Sequence, residues 1–209
     1  MPSDERAAVR DRLADLTSLS PEVVERSHGR IVITTFTREL LRDERKVLGL
    51  YDATVTAVDP FPDREPFPGP DPTLAGYGPV FTAGVNRLIR TEIGVESERD
   101  YRLLSYEVNA AWKVDGETNP LVSQIGATDD FRFGMSLNPN MKAFISHGHY
   151  DLITPYYGSD RIVNLMRLDP SVAERITSHH FDGGHMFYAW ESSRVAFRDA
   201  VAEFVAASS

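Results

Sequence analysis

A chain of 209 residues with 42% hydrophobic side chains can bury a real core, as one large domain or as a domain with a subdomain. Its 31 acidic against 22 basic residues leave a net charge of −9, which argues against non-specific nucleic-acid binding, and no basic run offsets it. Cysteine is absent, so disulfides and thiolate chemistry are excluded, and no apolar run approaches the roughly 18 residues that a membrane span needs.

The N-terminus, MPSDERAAVRDRL, is charged and carries no signal-peptide core. Residues 4–16 set Ala7, Val9, Leu13 and Leu16 among charges, which predicts a surface helix. Ser20-Pro21-Glu22-Val23 then reads as a helix start, with Ser20 as N-cap and Pro21 in the first turn. A further helix is predicted over 33–47, with Phe36, Leu40, Leu41 and Val47 on one side. The prolines between 60 and 72 mark an irregular loop, either a lid or ordinary surface linkage. Another helix is predicted over 77–93, ended near Gly94. The apolar stretch 103–112 fits helix or strand equally, and 114–120 is a turn-rich break. Thr128-Asp129-Asp130 can cap a helix to Leu137, which Asn138-Pro139-Asn140 stops.

The most informative stretch is 141–190. Residues 142–146 form a short apolar run that fits a buried strand. His147-Gly148-His149-Tyr150-Asp151 follows as a loop, then Thr154-Pro155 and a helical pattern over 156–168. A second strand is predicted over 175–181, running into Asp182-Gly183-Gly184-His185-Met186. The last helix, 192–206, sets Val195, Ala196, Ala200, Phe204 and Val205 toward a core. An Asp thus follows one strand and a His the next, in loops where open α/β sheets collect catalytic groups. That order matches the last two members of a Ser-Asp-His triad. Asp151 is the candidate carboxylate and Asp182 its local alternative, while His185 can instead be a purely structural residue after Gly-Gly.

Residues 146–151 (SHGHYD) and 183–188 (GGHMFY) resemble the Asp and His segments of the serine carboxypeptidase family. The resemblance extends upstream through Leu19-Ser20-Pro21-Glu22, Leu40-Leu41-Arg42-Asp43-Glu44 and Gly49-Leu50-Tyr51-Asp52, which are similar to that family's lid region. It spans nearly the whole chain but only the C-terminal half of a full-length family member. The fold it implies is the C-terminal part of an α/β-hydrolase: a helical cap over 1–125 and a strand–helix portion over 126–209. Asp151 and His185 would be catalytic, Met186 would lie by the substrate pocket, and no cofactor is implied. The implied substrate is a peptide that loses its C-terminal residue. Members are often secreted or periplasmic, and the lack of cysteine points to a bacterial-type relative.

The nucleophile is missing. A nucleophile elbow needs G-x-S-x-G, and the nearest imitation, Gly134-Met135-Ser136-Leu137-Asn138, ends in Asn within a helical pattern. The chain alone is therefore expected to be inactive, and to complete its sheet by self-association or by an N-terminal fragment. Two other readings stand beside this one. His147-x-His149-x-Asp151 has the HxHxD spacing of a zinc hydrolase, although Leu152 stands where such enzymes place another His. The chain can also be a non-catalytic interaction module derived from a peptidase.

Overall fold

The computed structural model describes residues 3–64, 69–111 and 127–208. The predicted break over 114–120 lies outside them. The fold is of the mixed α/β class. It divides into two compact units that interleave along the chain. One comprises Met1–Gly76, His147–Pro155 and His180–Arg198, and the other Tyr77–Ser146, Tyr156–His179 and Asp199–Ser209.

In the first unit, α1 (Ser3–Thr17) and α2 (Pro21–Arg26) are joined by Ser18 in the left-handed region and a buried Leu19. Ser20 caps α2 as its residue type predicts, accepting from the Val23 N–H, and Pro21 opens the helix. Leu19, Val23 and Val24 form a buried cluster against Leu13, Ala14, Ile31, Phe36 and Leu40.

The predicted 33–47 helix is shorter than its apolar spacing implies. α3 (Ile33–Glu39) ends at Glu39, and a 3-10 turn over Arg42–Glu44 follows. Arg45 then takes a left-handed conformation, φ 55, and turns the chain into strand β1 (Lys46–Leu48). The neighbours Val47 and Leu48 are both buried, which requires a strand covered on its two faces. β1 pairs antiparallel with β2 (Thr56–Val58), Lys46 opposite Val58 and Leu48 opposite Thr56. This hairpin was not foreseen from the sequence pattern.

Helix α4 (Pro72–Arg87) begins five residues before the expected start. Asp71 accepts from the Leu74 N–H at 3.0 Å and Pro72 opens the helix, so the end of the proline-rich stretch is its cap. A π turn over Leu88–Glu92 continues it as far as Gly94, whose φ of 77 ends it.

In the second unit the ambiguous 103–112 stretch contains helix α5 (Tyr106–Ala111). α6 (Thr128–Leu137) ends where expected, but Thr128 lies inside it and no side chain caps it. The Arg175 guanidinium donates to the carbonyls of Met135, Asn138 and Met141, which satisfies the open end of α6 and fixes it to the strand that follows. Strand β3 (Ala143–Gly148) is hydrogen-bonded to the later strand β4 (Ile176–Phe181). Ala143 N–H donates to Arg175 O and His149 N–H to Phe181 O, so the pairing advances the same way along both strands and is parallel.

Between those strands run α7 (Tyr156–Leu165) and the short α8 (Pro170–Ala173). α7 stops three residues short of the predicted end, before Arg167 at φ 50, and Asp169 caps α8 through the Ser171 N–H. The last helix, α9 (Glu191–Ala206), exists as predicted but rotated. Val195 and Val205 are exposed, at 42% and 56%, and the inward stripe is Ser193, Phe197, Ala200, Val201 and Phe204. Ser193 is tolerated there because its hydroxyl donates to the Asp182 carbonyl at 2.6 Å.

Candidate functional site

The site lies in the first unit, in the loops after β3 and β4. Past Gly148 the backbone turns, with Asp151 N–H donating to Gly148 O, and the Asp151 side chain folds back into the loop. Its Oδ1 accepts from the N–H groups of Ile153 at 2.9 Å and Thr154 at 3.0 Å. Its Oδ2 accepts from the Thr154 hydroxyl at 2.5 Å and lies 2.8 Å from Nδ1 of His185. Asp151 is 3% exposed, whereas the His185 side chain is 42% exposed.

Burial by itself pushes the Asp151 carboxyl up. The Thr154 hydroxyl and N–H, together with His185, outweigh it and hold the carboxyl below the ordinary carboxylate range. An ionised carboxylate only accepts, so Nδ1 of His185 carries a proton, and in the neutral ring Nε2 is then the nitrogen with the free lone pair. An imidazole held in this way can take a proton from a hydroxyl or water at Nε2 and return it.

Three close approaches set the position of His185. Its N–H donates to the Tyr51 carbonyl at 2.6 Å, and the Tyr51 ring meets the imidazole edge-on, 5.4 Å between centroids. The Gly184 N–H donates to Oδ2 of Asp52 at 3.1 Å. Asp52 is buried, and its Oδ1 accepts from the Thr54 N–H and hydroxyl. A Cβ on Gly184 would collide with Tyr51 O and Asp52, and one on Gly148 with the carbonyls of Gly183 and Gly184. The two glycines before His185 thus serve close backbone packing as well as a turn, Gly183 alone having positive φ.

The structure brings Asp151 and His185 together. Asp182 instead faces His149, 3.3 Å from its Nδ1, and His147 Nδ1 donates to Thr154 O. The three polar side chains of HxHxD therefore bond to other groups and not to one centre, His147 and Asp151 both to Thr154 and His149 to Asp182, and among the described residues no three His, Cys, Asp or Glu groups converge as metal ligands. Met186 is half-buried before the 3-10 turn Phe187–Ala189, adjoining the stacked pair Phe181 and Phe187. Ser136 sits in α6, where its hydroxyl donates to Arg132 O at 2.8 Å. Sequence reasoning did not single out Thr154, and noted Tyr51 and Asp52 only within a family-like segment. The Asp-x-x-Thr spacing of 151 and 154 is the signal that could have identified the first. Comparison with protein-family models, with curated proteins and with solved structures gives no match.

Proposed function

We propose that Asp151 and His185 are the carboxylate and general base of a serine carboxypeptidase-like hydrolase, with the nucleophilic serine supplied by polypeptide outside these 209 residues. The observation that carries this reading is the 2.8 Å bond between a buried carboxylate and a half-exposed imidazole. In this reading the two parallel strands are part of an α/β-hydrolase sheet. Asp151 stays ionised and keeps the proton on Nδ1. Nε2 takes the proton of the serine hydroxyl as it attacks the last peptide carbonyl, then gives that proton to the departing amine. Water hydrolyses the acyl-enzyme by the same exchange, and Met186 borders the substrate. The peptide is the only partner the chemistry requires.

Hydrolysis of blocked dipeptides and labelling by a fluorophosphonate test it, on this chain and on the chain extended by its in-frame upstream coding sequence. The chain alone should neither hydrolyse nor label. The extended polypeptide should label at a G-x-S-x-G serine and lose about 10⁴-fold or more in kcat on His185→Ala. Labelling of Ser136, or turnover that survives His185→Ala, overturns the assignment.

One observation favours a second reading, the non-catalytic module. Among the described residues no serine hydroxyl bonds Nε2 of His185. An upstream frame without an elbow serine would select that reading.

A further inference from the structure

We infer that Thr154 is a positioning residue for His185: its hydroxyl closes a ring of hydrogen bonds with the Asp151 carboxylate and Nδ1 of the imidazole, and so holds the tautomer and rotation that leave Nε2 for proton transfer. The chemistry this serves rests on the hydrolase reading, whereas the positioning itself does not. Oγ1 of Thr154 lies 2.5 Å from Oδ2 of Asp151 and 3.1 Å from Nδ1 of His185, and those two atoms are 2.8 Å apart. A hydroxyl has a single proton to donate, and an ionised carboxylate can only accept it. The hydroxyl therefore donates to Oδ2 and its lone pairs face Nδ1, whose proton is shared between Oδ2 and Oγ1. Turned over, the imidazole would present a carbon to both acceptors.

The loop does not need this hydroxyl to hold its shape. Oδ1 of Asp151 already accepts from the Ile153 and Thr154 N–H groups, which close the turn. The hydroxyl falls instead on the oxygen that faces His185. It brings the donors on Asp151 to four, which fills the roughly four lone-pair sites of an ionised carboxyl group. One residue thus grips both oxygens, and Oδ2 is kept from swinging away from the imidazole. Thr154 is β-branched, so few rotamers are open to its side chain and the hydroxyl is set with it. The residue is exposed, so no core depends on that side chain. When Nε2 takes a proton the ring becomes a cation, and the hydroxyl oxygen and the carboxylate both already face it. The Thr154 carbonyl separately accepts from Nδ1 of His147 at 3.2 Å, a contact in which the hydroxyl has no part.

Heteronuclear NMR of the nitrogen-labelled full chain, at a pH of about 8 where an ordinary imidazole is neutral, tests it. In the parent, His185 should show one tautomer with a slowly exchanging Nδ1 proton. Thr154→Val removes the hydroxyl at nearly constant volume and should speed exchange of that proton about tenfold, the equivalent of one hydrogen bond. Thr154→Ser should restore most of the parent's rate. His147 is the internal reference, and its Nδ1 proton should keep its rate in both variants. On the chain extended by its upstream coding sequence, Thr154→Val should lower kcat about tenfold or more with KM changed less than about twofold, as lost orientation does, and Thr154→Ser should recover it. An unchanged His185 rate, a change in His147 and His185 alike, or an unchanged kcat overturns the inference. An extended chain that is inactive without substitution sinks the hydrolase reading alone, and the NMR comparison then decides the role of Thr154. Where Thr154→Val departs from the parent's circular dichroism, Thr154→Ala takes its place.

Discussion

Oδ2 of Asp151 lies 2.8 Å from Nδ1 of His185, and the same oxygen accepts from the Thr154 hydroxyl. The carboxylate is thus a structural anchor of its own loop and the partner of the imidazole at once. The two roles separate experimentally. Asp151→Ala leaves two N–H groups and a hydroxyl without their acceptor in a buried place, and should cost roughly 2–4 kcal/mol. His185→Ala removes a half-exposed ring and should cost no more than about 1 kcal/mol. Urea unfolding of both variants checks the contrast, and equal losses would mean that the pair is simply a structural bond.

The acid limb of stability should trace to the same carboxylate. The Asp151 carboxyl is held below its ordinary range in the fold, so the folded chain takes up its proton at lower pH than the unfolded chain does. Its stabilisation is complete above the unfolded value of about 3.9 and is lost as pH falls through the lower folded value. Asp151→Asn should therefore flatten the fall in urea midpoint below about pH 4 relative to the parent. Asp169, lowered by Ser171 at an exposed position, is the control: Asp169→Asn should leave most of that fall in place.

Backbone packing behind His185 gives a third expectation. Gly184→Ala places a methyl group on Tyr51 O and Asp52, and should destabilise by roughly 2 kcal/mol or more, as overpacking does. Gly84, inside α4 with open space around its Cβ position, provides the contrast. Gly84→Ala should stabilise by about 0.5–1 kcal/mol. Thermal melts of the two variants in one buffer suffice, and a neutral Gly184→Ala would mean that the 49–55 loop does not hold the site.

What the sequence revealed follows from how far apart the interacting residues lie. β3 was legible because it opens on a short apolar run, Ala143-Phe144-Ile145, and both it and β4 close on a loop rich in Gly, His and Asp. Asp151 and His185 were legible for the same reason, since residue type and position after a strand are local properties. The hairpin of β1 and β2 was not, because three-residue strands have no measurable period and the turn into β1 relies on a non-glycine residue, Arg45, at positive φ. α9 was visible as a helix but not in its rotation, because buried Ser193 hides the true stripe behind a polar residue. The bond from Gly184 to Asp52 spans 132 residues, and no local pattern encodes it.

The last expectation concerns association. Among the described residues β3 and β4 form a two-stranded sheet, and a two-stranded sheet is marginal by itself. In the same unit as most of that pair, α6 exposes Phe133 and Leu137, both at 67% and one helical turn apart, and α7 exposes Tyr157 at 69% and Leu165 at 58%. These apolar helix faces are expected to be covered by a second copy of the chain or by an N-terminal fragment. Sedimentation velocity should show a weight-average mass that rises with concentration. Burial of each large side chain contributes roughly 2 kcal/mol, so Phe133→Glu with Leu137→Glu should weaken association a hundredfold or more if α6 lies in the contact. A monomer at every concentration, with a melt that does not depend on concentration, would show that the chain closes its own sheet.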